Sequence, residues 1–368
     1  MAPARPGARV RSLAVETLDV PLLSPFGISG GSLGTARNAL ATVVLEDGTV
    51  GLGEAAPFPA YNGETQEGAL GALRRAERWL PGWDCGDWRA VAAEFRSREG
   101  PGCGSSLCAL ETAMLDALAI RDGLPLWRFF GPGASELETD MTVTTGTPME
   151  AGEAARAIRA RGVRVIKVKV GGPGGAAADL ERIAAVAEAA PGAPLILDAN
   201  AGLSRAGASE LVRGLRRAGI APLLLEQWLP RDDLEGMRAL GAESGWTVAA
   251  DEAASSAADV RRIAESRAAQ VVNVKLMKAG VSEALAVVEA ARIAGIGLMI
   301  GGNVETVLSM TVSACFAVGL GGFSFADLDT PLFLASNPFV GGYRLRGGAV
   351  SVSHIEAGHG VRTPGLLL

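Results

Sequence analysis

The chain has 368 residues, 48% hydrophobic and 20% charged, which fits a globular protein of one large or two ordinary domains. A net charge of −6 and a pI of about 5.2 leave no basic stripe for nucleic acid. No charge-free run approaches the roughly 18–20 apolar residues of a membrane helix, and residues 1–9 lack the apolar core of a secretory signal, so the expected setting is cytoplasmic.

Residues 10–20 alternate like a strand. Residues 24–34, rich in glycine and without a basic side chain, read as a lid loop that orders on binding. Residues 38–54 read as a hairpin turning at Asp47-Gly48. A second loop, 56–63, is apolar and aromatic, with Phe58 and Tyr61. Helical patterns at 64–80, 87–98 and 105–121 complete an α+β unit.

After Gly131 the chain becomes repetitive. Short apolar runs centre near Val143, Lys167, Ile196, Leu224, Val248, Asn273, Met299 and Phe325. Their spacing runs from 24 residues (143 to 167) to 29 (167 to 196), with helical stretches at 176–190, 205–218, 257–267 and 281–294. Eight strand–helix units predict a (β/α)8 barrel rather than an open sheet. Thr330-Pro331 after the eighth run predicts a modified end, and the Gly-rich tail 340–368 returns to the first unit. Cys85, Cys103, Cys108 and Cys315 lack metal or redox spacing and read as buried free thiols of a reducing compartment. His354 and His359, the two histidines, lie in the tail and read as surface residues, so acid–base chemistry falls to other side chains.

Lys167 and Lys169 are two apart in the apolar run 163–170, so both point to one face of a strand. Buried lysines need anions. The next three runs each end in one: Asp198, Glu226 and Asp251. The sixth ends in Lys275, the seventh leads into a loop with Asn303, and the eighth ends in Asp327 and Asp329. Barrel active sites are built at these C-terminal strand ends. Three carboxylates suit Mg²⁺ or Mn²⁺, and no His/Cys set favours zinc. A metal flanked by lysines points to proton transfer at a carbon beside a carboxylate. Lysines on two sides of that carbon permit removal from one face and return to the other.

This set resembles the enolase superfamily, and the chain is similar to its muconate-lactonising subgroup over nearly its whole length. The resemblance implies an α+β capping domain (1–130), a modified (β/α)8 barrel (131–340) and a C-terminal segment (341–368) returning to the cap. It implies that Asp198, Glu226 and Asp251 bind Mg²⁺, that Lys169 and Lys275 are the acid–base pair, and that Lys167 supports the substrate carboxylate. Asn200 and Glu252 would buttress the metal ligands, with Asn303 and Thr142 as further substrate contacts. Asp327-Leu328-Asp329 is similar to the Asp-x-Asp of dipeptide epimerases, which holds the substrate α-ammonium. Paired carboxylates suit a cation and repel an N-succinyl substrate. The implied reaction is 1,1-proton transfer at the carbon next to a dipeptide's C-terminal carboxylate.

Ala-Glu epimerases carry an arginine in the loop after the first strand. Here that loop has none, and Arg37 enters the next strand, so small or apolar side chains are expected. Trp228 stands where relatives more often have proline, and either narrows the pocket or packs under the cap. Three other readings stay open. One is an o-succinylbenzoate synthase or N-acyl amino acid racemase of the same subgroup. The second is a dinucleotide-binding dehydrogenase, from Gly172, Gly174 and Ala177 after a strand with Asp198 ending the next. The third is a barrel that binds without catalysis. The oligomeric state is open too, a homo-oligomer included.

Overall fold

The computed structural model describes residues 8–28, 31–133 and 136–364. Three antiparallel strands, Val10–Ile28, Gly31–Leu45 and Val50–Ala55, form the N-terminal sheet. The second hairpin turns at Asp47-Gly48 as expected. Thr49 N–H donates to Asp47 Oδ1 at 2.9 Å, and Gly48 takes φ +90°, where a Cβ is disfavoured.

The described part of segment 24–34 is not the expected loop. After a register shift between Pro21 and Phe26 it continues the ladder, with Phe26 opposite Leu33, Gly27 opposite Ser32 and Ile28 opposite Gly31. Prolines 21 and 25 cannot donate ladder bonds, and the irregularity falls between them and the resumed pairing. Residues 29–30 lie outside the described residues. Phe26 and Ile28 are buried in one apolar cluster with Phe58, Val304, Leu308 and Leu334, which joins sheet and barrel.

Helices Gln66–Ala76, Trp88–Glu99 and Gly104–Arg121 follow. Thr65 starts the first by accepting Gly68 N–H at 3.1 Å. The third is buried on nearly all sides. The strand Val50–Ala55 lies so close to it that a Cβ at Gly53 would come within 1.9 Å of Ala109 O.

The eight barrel strands are Met141–Val143, Ile166–Lys169, Leu195–Asp198, Leu224–Glu226, Val248–Ala250, Val271–Val274, Gly297–Ile300 and Phe323–Ala326. Each contains its predicted centre. They pair in parallel and in sequence order, alternating with helices. The sheet curls until Asp140 N–H donates to Ala326 C=O at 2.8 Å, which brings the eighth strand back to the first. This is a modified (β/α)8 barrel under an α+β cap. Sequential order rules out the doubly wound order of a dinucleotide-binding sheet. A 3-10 turn, Thr330–Phe333, stands in place of an eighth helix.

In the tail, Val340–Gly341 pairs with Val361–Arg362, and Ala349–Ser351 pairs with Arg344–Arg346 and Glu136–Glu138. His359 is not a surface residue but fully buried. Its backbone N–H donates to Asp116 Oδ1 at 2.9 Å, and its Nε2 lies 3.0 Å from Asp116 Oδ2 and 3.1 Å from Leu52 O. Flanking glycines resemble a loop in sequence; here Gly358 lets the backbone approach the helix that carries Asp116, where a Cβ would come within 2.2 Å of Asp116 Oδ1. The four cysteines are free, with Cys103 the one partly exposed. Among the described residues no helix is long and apolar enough to cross a membrane.

Candidate active site

Strand register sets the site. Lys169 lies beside Asp198, and Asp198 beside Glu226. Asp251 follows the end of the fifth strand, and Lys275 the end of the sixth. The side chains therefore converge at the C-terminal mouth. Lys167, Asp198, Glu226 and Asp251 are all 0% exposed. Left-handed backbone just past two strand ends, φ 43° at Asn200 and 38° at Gln227, turns the chain away from the mouth. Gln227 Oε1 then accepts Asp251 N–H at 2.9 Å and Ala253 N–H at 3.1 Å, which ties the fourth strand's end to the fifth's.

Lys167 Nζ sits 2.6 Å from Asp327 Oδ2, 2.8 Å from Glu226 Oε2 and 3.0 Å from Asp198 Oδ2. Burial opposes its charge, yet these anions prevail and hold it well above the ordinary lysine range. Lys169 Nζ contacts Asp198 Oδ2 at 2.6 Å and Asn200 Oδ1 at 3.0 Å. Against burial, the two lysines hold Asp198 down to about 2. Lys275 Nζ lies 2.8 Å from Asp251 Oδ2 and 4.4 Å from the Tyr61 ring centroid. Burial and the nearby Asp251 push Glu252 up to about 8, and its Oε1 accepts Asn200 Nδ2–H at 3.3 Å.

A small cavity lies over these groups, between cap and barrel. The cap and its hairpin supply Phe26, Ile28, Phe58 and Tyr61. The barrel supplies Lys169, Asn200, Lys275, Asn303, Asp327 and Thr330. Strands two and six are four apart in an eight-stranded curl, so Lys169 and Lys275 stand on opposite walls. Asp327 lines a third side. Asp329 and Thr142 sit behind it, joined by Thr142 N–H donating to Asp329 Oδ2 at 2.7 Å. Asn303 Nδ2–H donates to Ala56 O at 2.9 Å and so also ties the cap loop to the barrel.

Several contributors escaped the sequence reading. Lys278 Nζ lies 2.8 Å from Asp251 Oδ1 and donates to Asp251 O, Ala254 O and Asn273 O. Tyr61 O–H donates to Asp251 Oδ1 at 3.1 Å. Asn273 Nδ2–H donates to Glu226 Oε1 at 2.8 Å. Asp140 brings a third acid beside Asp327 and Asp329. Asn273 and Asp140 each stand two residues before a predicted site residue, so strand alternation could have found them. Trp228 does not line the cavity. It is buried in the barrel core, with Nε1–H donating to Leu197 O at 2.9 Å. Arg37 is 64% exposed on the strand Gly31–Leu45, 3.9 Å from Glu67, and does not line the cavity.

The acids at strands three to five fit a hard cation. They offer buried oxygens from three adjacent strand ends. Glu226 Oε2 and Asp251 Oδ2 accept no hydrogen bond and each faces only a lysine ammonium at 2.8 Å. Replacing that ammonium by a divalent ion satisfies the same oxygens.

Residues 150–364 match the family described as enolase C-terminal domain-like. An aromatic dipeptide epimerase from Herpetosiphon aurantiacus is 48% identical, over 96% of this chain and 98% of that protein. A mandelate racemase/muconate lactonizing protein structure from the same organism superposes with a TM-score of 0.93 at 47% identity, covering 97% and 99% of the two chains. A dipeptide epimerase from Enterococcus faecalis, solved with Mg and the dipeptide L-Leu-L-Tyr, gives a TM-score of 0.89 at 28% identity over 96% and 99%. The chain belongs to the enolase superfamily, in its muconate-lactonising branch, beside the dipeptide epimerases.

Proposed function

We propose that the chain epimerises dipeptides with apolar or aromatic side chains, by Mg²⁺-dependent proton transfer at the carbon next to the C-terminal carboxylate. The observation that carries this reading is one cavity with Lys169 and Lys275 on opposite walls and Asp327 on a third. A racemising site needs a base on each face of one carbon, and a free amine needs a carboxylate.

Asp198, Glu226 and Asp251 would hold Mg²⁺ or Mn²⁺. Bound there, the metal supplies positive charge at the substrate carboxylate, which makes the neighbouring carbon acidic. The lysines move the proton. Each must be neutral to accept it, and each loses the anion holding its own proton once Asp198 or Asp251 turns to another cation. One lysine takes the hydrogen from its wall, and the electron pair remains on the substrate, spread onto its carboxyl group. The opposite lysine returns a proton to the other face. Lys167 adds fixed positive charge beside the carboxylate, and Asp327, backed by Asp329, receives the amine. Asn200 and Glu252 hold Lys169 and the strand-three turn in place.

The side-chain preference follows from the walls. Phe26, Ile28, Phe58 and Tyr61 offer apolar area, and among the described residues no arginine lines the cavity to meet a glutamate side chain. The Herpetosiphon relative, an aromatic dipeptide epimerase, supports the same preference. Four free cysteines suit a reducing cytoplasm. The test is a set of L,L-dipeptides in D₂O with Mg²⁺, read by mass. Apolar and aromatic members should gain one unit as the second residue inverts, faster than Ala-Glu. If no dipeptide gained deuterium while an N-succinyl amino acid turned over, the reading would be wrong.

A further inference from the structure

Asp140 is an acid that the mechanism above does not use. It rides the seam between the first and eighth strands, where its backbone N–H donates to Ala326 O at 2.8 Å. It shares a strand face with Thr142, two residues on. Its side chain is buried at 2% exposure, and neither carboxyl oxygen has a hydrogen-bond partner. One oxygen each of Asp140, Asp327 and Asp329 lie within 4.8 Å of one another. Asp329 Oδ1, buried too, also lacks a partner.

Three buried carboxylates this close cannot all be ionised beside one lysine. Their partners decide which keeps a proton. Asp327 has Lys167 Nζ at 2.6 Å, and Asp329 has Thr142 N–H at 2.7 Å. Asp140 has no donor. A single acid O–H between one Asp140 oxygen and Asp329 Oδ1 satisfies two of these three orphan oxygens at once. We propose that Asp140 is a positioning residue for the amine end of the site, its carboxylic O–H donating to Asp329. The donation holds Asp329 against Thr142 and leaves the trio with one negative charge fewer, so the amine meets Asp327 in a single orientation. The groups facing Asp140 are consistent with this. Burial and then Asp327 make it a much weaker acid that holds its proton, with Asp329 and Glu226 adding to the effect and Lys167 opposing it. Tyr343, on the far side of Asp329, is committed to Leu328 O at 2.8 Å.

This inference rests on the dipeptide reading, and the test separates the two. Wild type is first shown to incorporate deuterium into an aromatic dipeptide; if it does so with none, the dipeptide reading itself falls. Asp140→Ala should then raise the dipeptide KM about 10-fold, the equivalent of ~1.4 kcal/mol, with kcat changed far less. Asp140→Asn keeps a donor N–H without a charge and should rescue most of that loss. Asn no better than Ala would mean that an ionised carboxylate is needed, and an unchanged KM in Ala would mean that Asp140 does nothing there. Either result overturns the proposal while the dipeptide activity stands. Should the Ala variant fail to fold by circular dichroism, the KM ratio of Asn to wild type is followed from neutral to alkaline pH. It should fall as Asp140 ionises in wild type alone, and a flat ratio overturns the proposal.

Discussion

Lys169 and Lys275 stand on opposite walls of one cavity, each pinned by its own carboxylate. Asp198 Oδ2 lies 2.6 Å from the first, and Asp251 Oδ2 2.8 Å from the second. On the proposed mechanism neither lysine substitutes for the other, because each serves one face of the substrate carbon. Lys169→Ala and Lys275→Ala should each cut epimerisation by about 10²–10⁴-fold, the usual worth of a general acid–base group. Each variant should still exchange the α-hydrogen of the epimer that faces its remaining lysine. Proton NMR in D₂O on separate L,L and L,D substrates reads this directly. Exchange surviving equally for both epimers in one variant would contradict two single-face bases.

The same ion pairs predict how the protein responds to metal. Without metal, Lys167, Lys169 and Lys275 neutralise the acids at strands three to five. A ligand that binds only the folded state stabilises it by about 2.7 kcal/mol at 100 times its Kd. Saturating Mg²⁺ should therefore raise the thermal midpoint by several degrees, and EDTA should reverse the rise and abolish exchange. Asp251→Asn should remove the shift whatever its own baseline stability. A midpoint indifferent to Mg²⁺ in wild type would place the metal elsewhere or nowhere.

Much of this site was readable because buried strands leave long apolar runs. Against such a run, Lys167, Lys169, Asp198, Glu226 and Asp251 stand out as charges that need one another. What escaped notice depends on tertiary partners. Lys278 is carried back toward Asp251 by the 3-10 turn Leu276–Lys278, a bend with no signal at that spacing. His359 reads as loop because glycines flank it, yet Gly358 serves a close approach. Segment 24–34 reads as a lid because glycine is frequent in it, and the cross-strand pairing of residues 26–28 with 31–33 is invisible in one strand's composition.

Glu54 joins the cap to the barrel. Its buried carboxylate accepts Asn38 Nδ2–H at 2.6 Å, Thr306 Oγ1–H at 2.6 Å, and the N–H groups of Thr306 and Ser309 at 3.0 and 3.2 Å. Removing it leaves several buried donors unpaired, each costing about 1–3 kcal/mol. Glu54→Ala should lower stability by at least ~3 kcal/mol and loosen the Phe26–Phe58 wall, so KM should rise more than kcat falls. Urea unfolding together with steady-state kinetics checks both. A variant that loses only activity would make Glu54 part of the chemistry rather than of the joint.

Glu111 predicts a pH effect remote from Asp198, Glu226 and Asp251. It sits on the helix Gly104–Arg121 and accepts the N–H groups of Val281 and Ser282 at 2.5 and 3.1 Å. Burial outweighs those bonds and pushes its carboxyl up to about 7. The folded state then holds this proton more tightly than the unfolded chain, whose value is near 4.5. The contribution to stability is complete below about pH 4.5 and is lost as pH rises through about 7. Over that window wild type should lose about 3 kcal/mol relative to Glu111→Gln, which cannot ionise and carries only a pH-independent offset. Urea denaturation of both proteins in EDTA from pH 5 to 8 isolates the difference, since every other titrating group is common to the pair. A difference that stayed constant, or grew in favour of wild type with rising pH, would mean that the two backbone donors hold Glu111 ionised throughout.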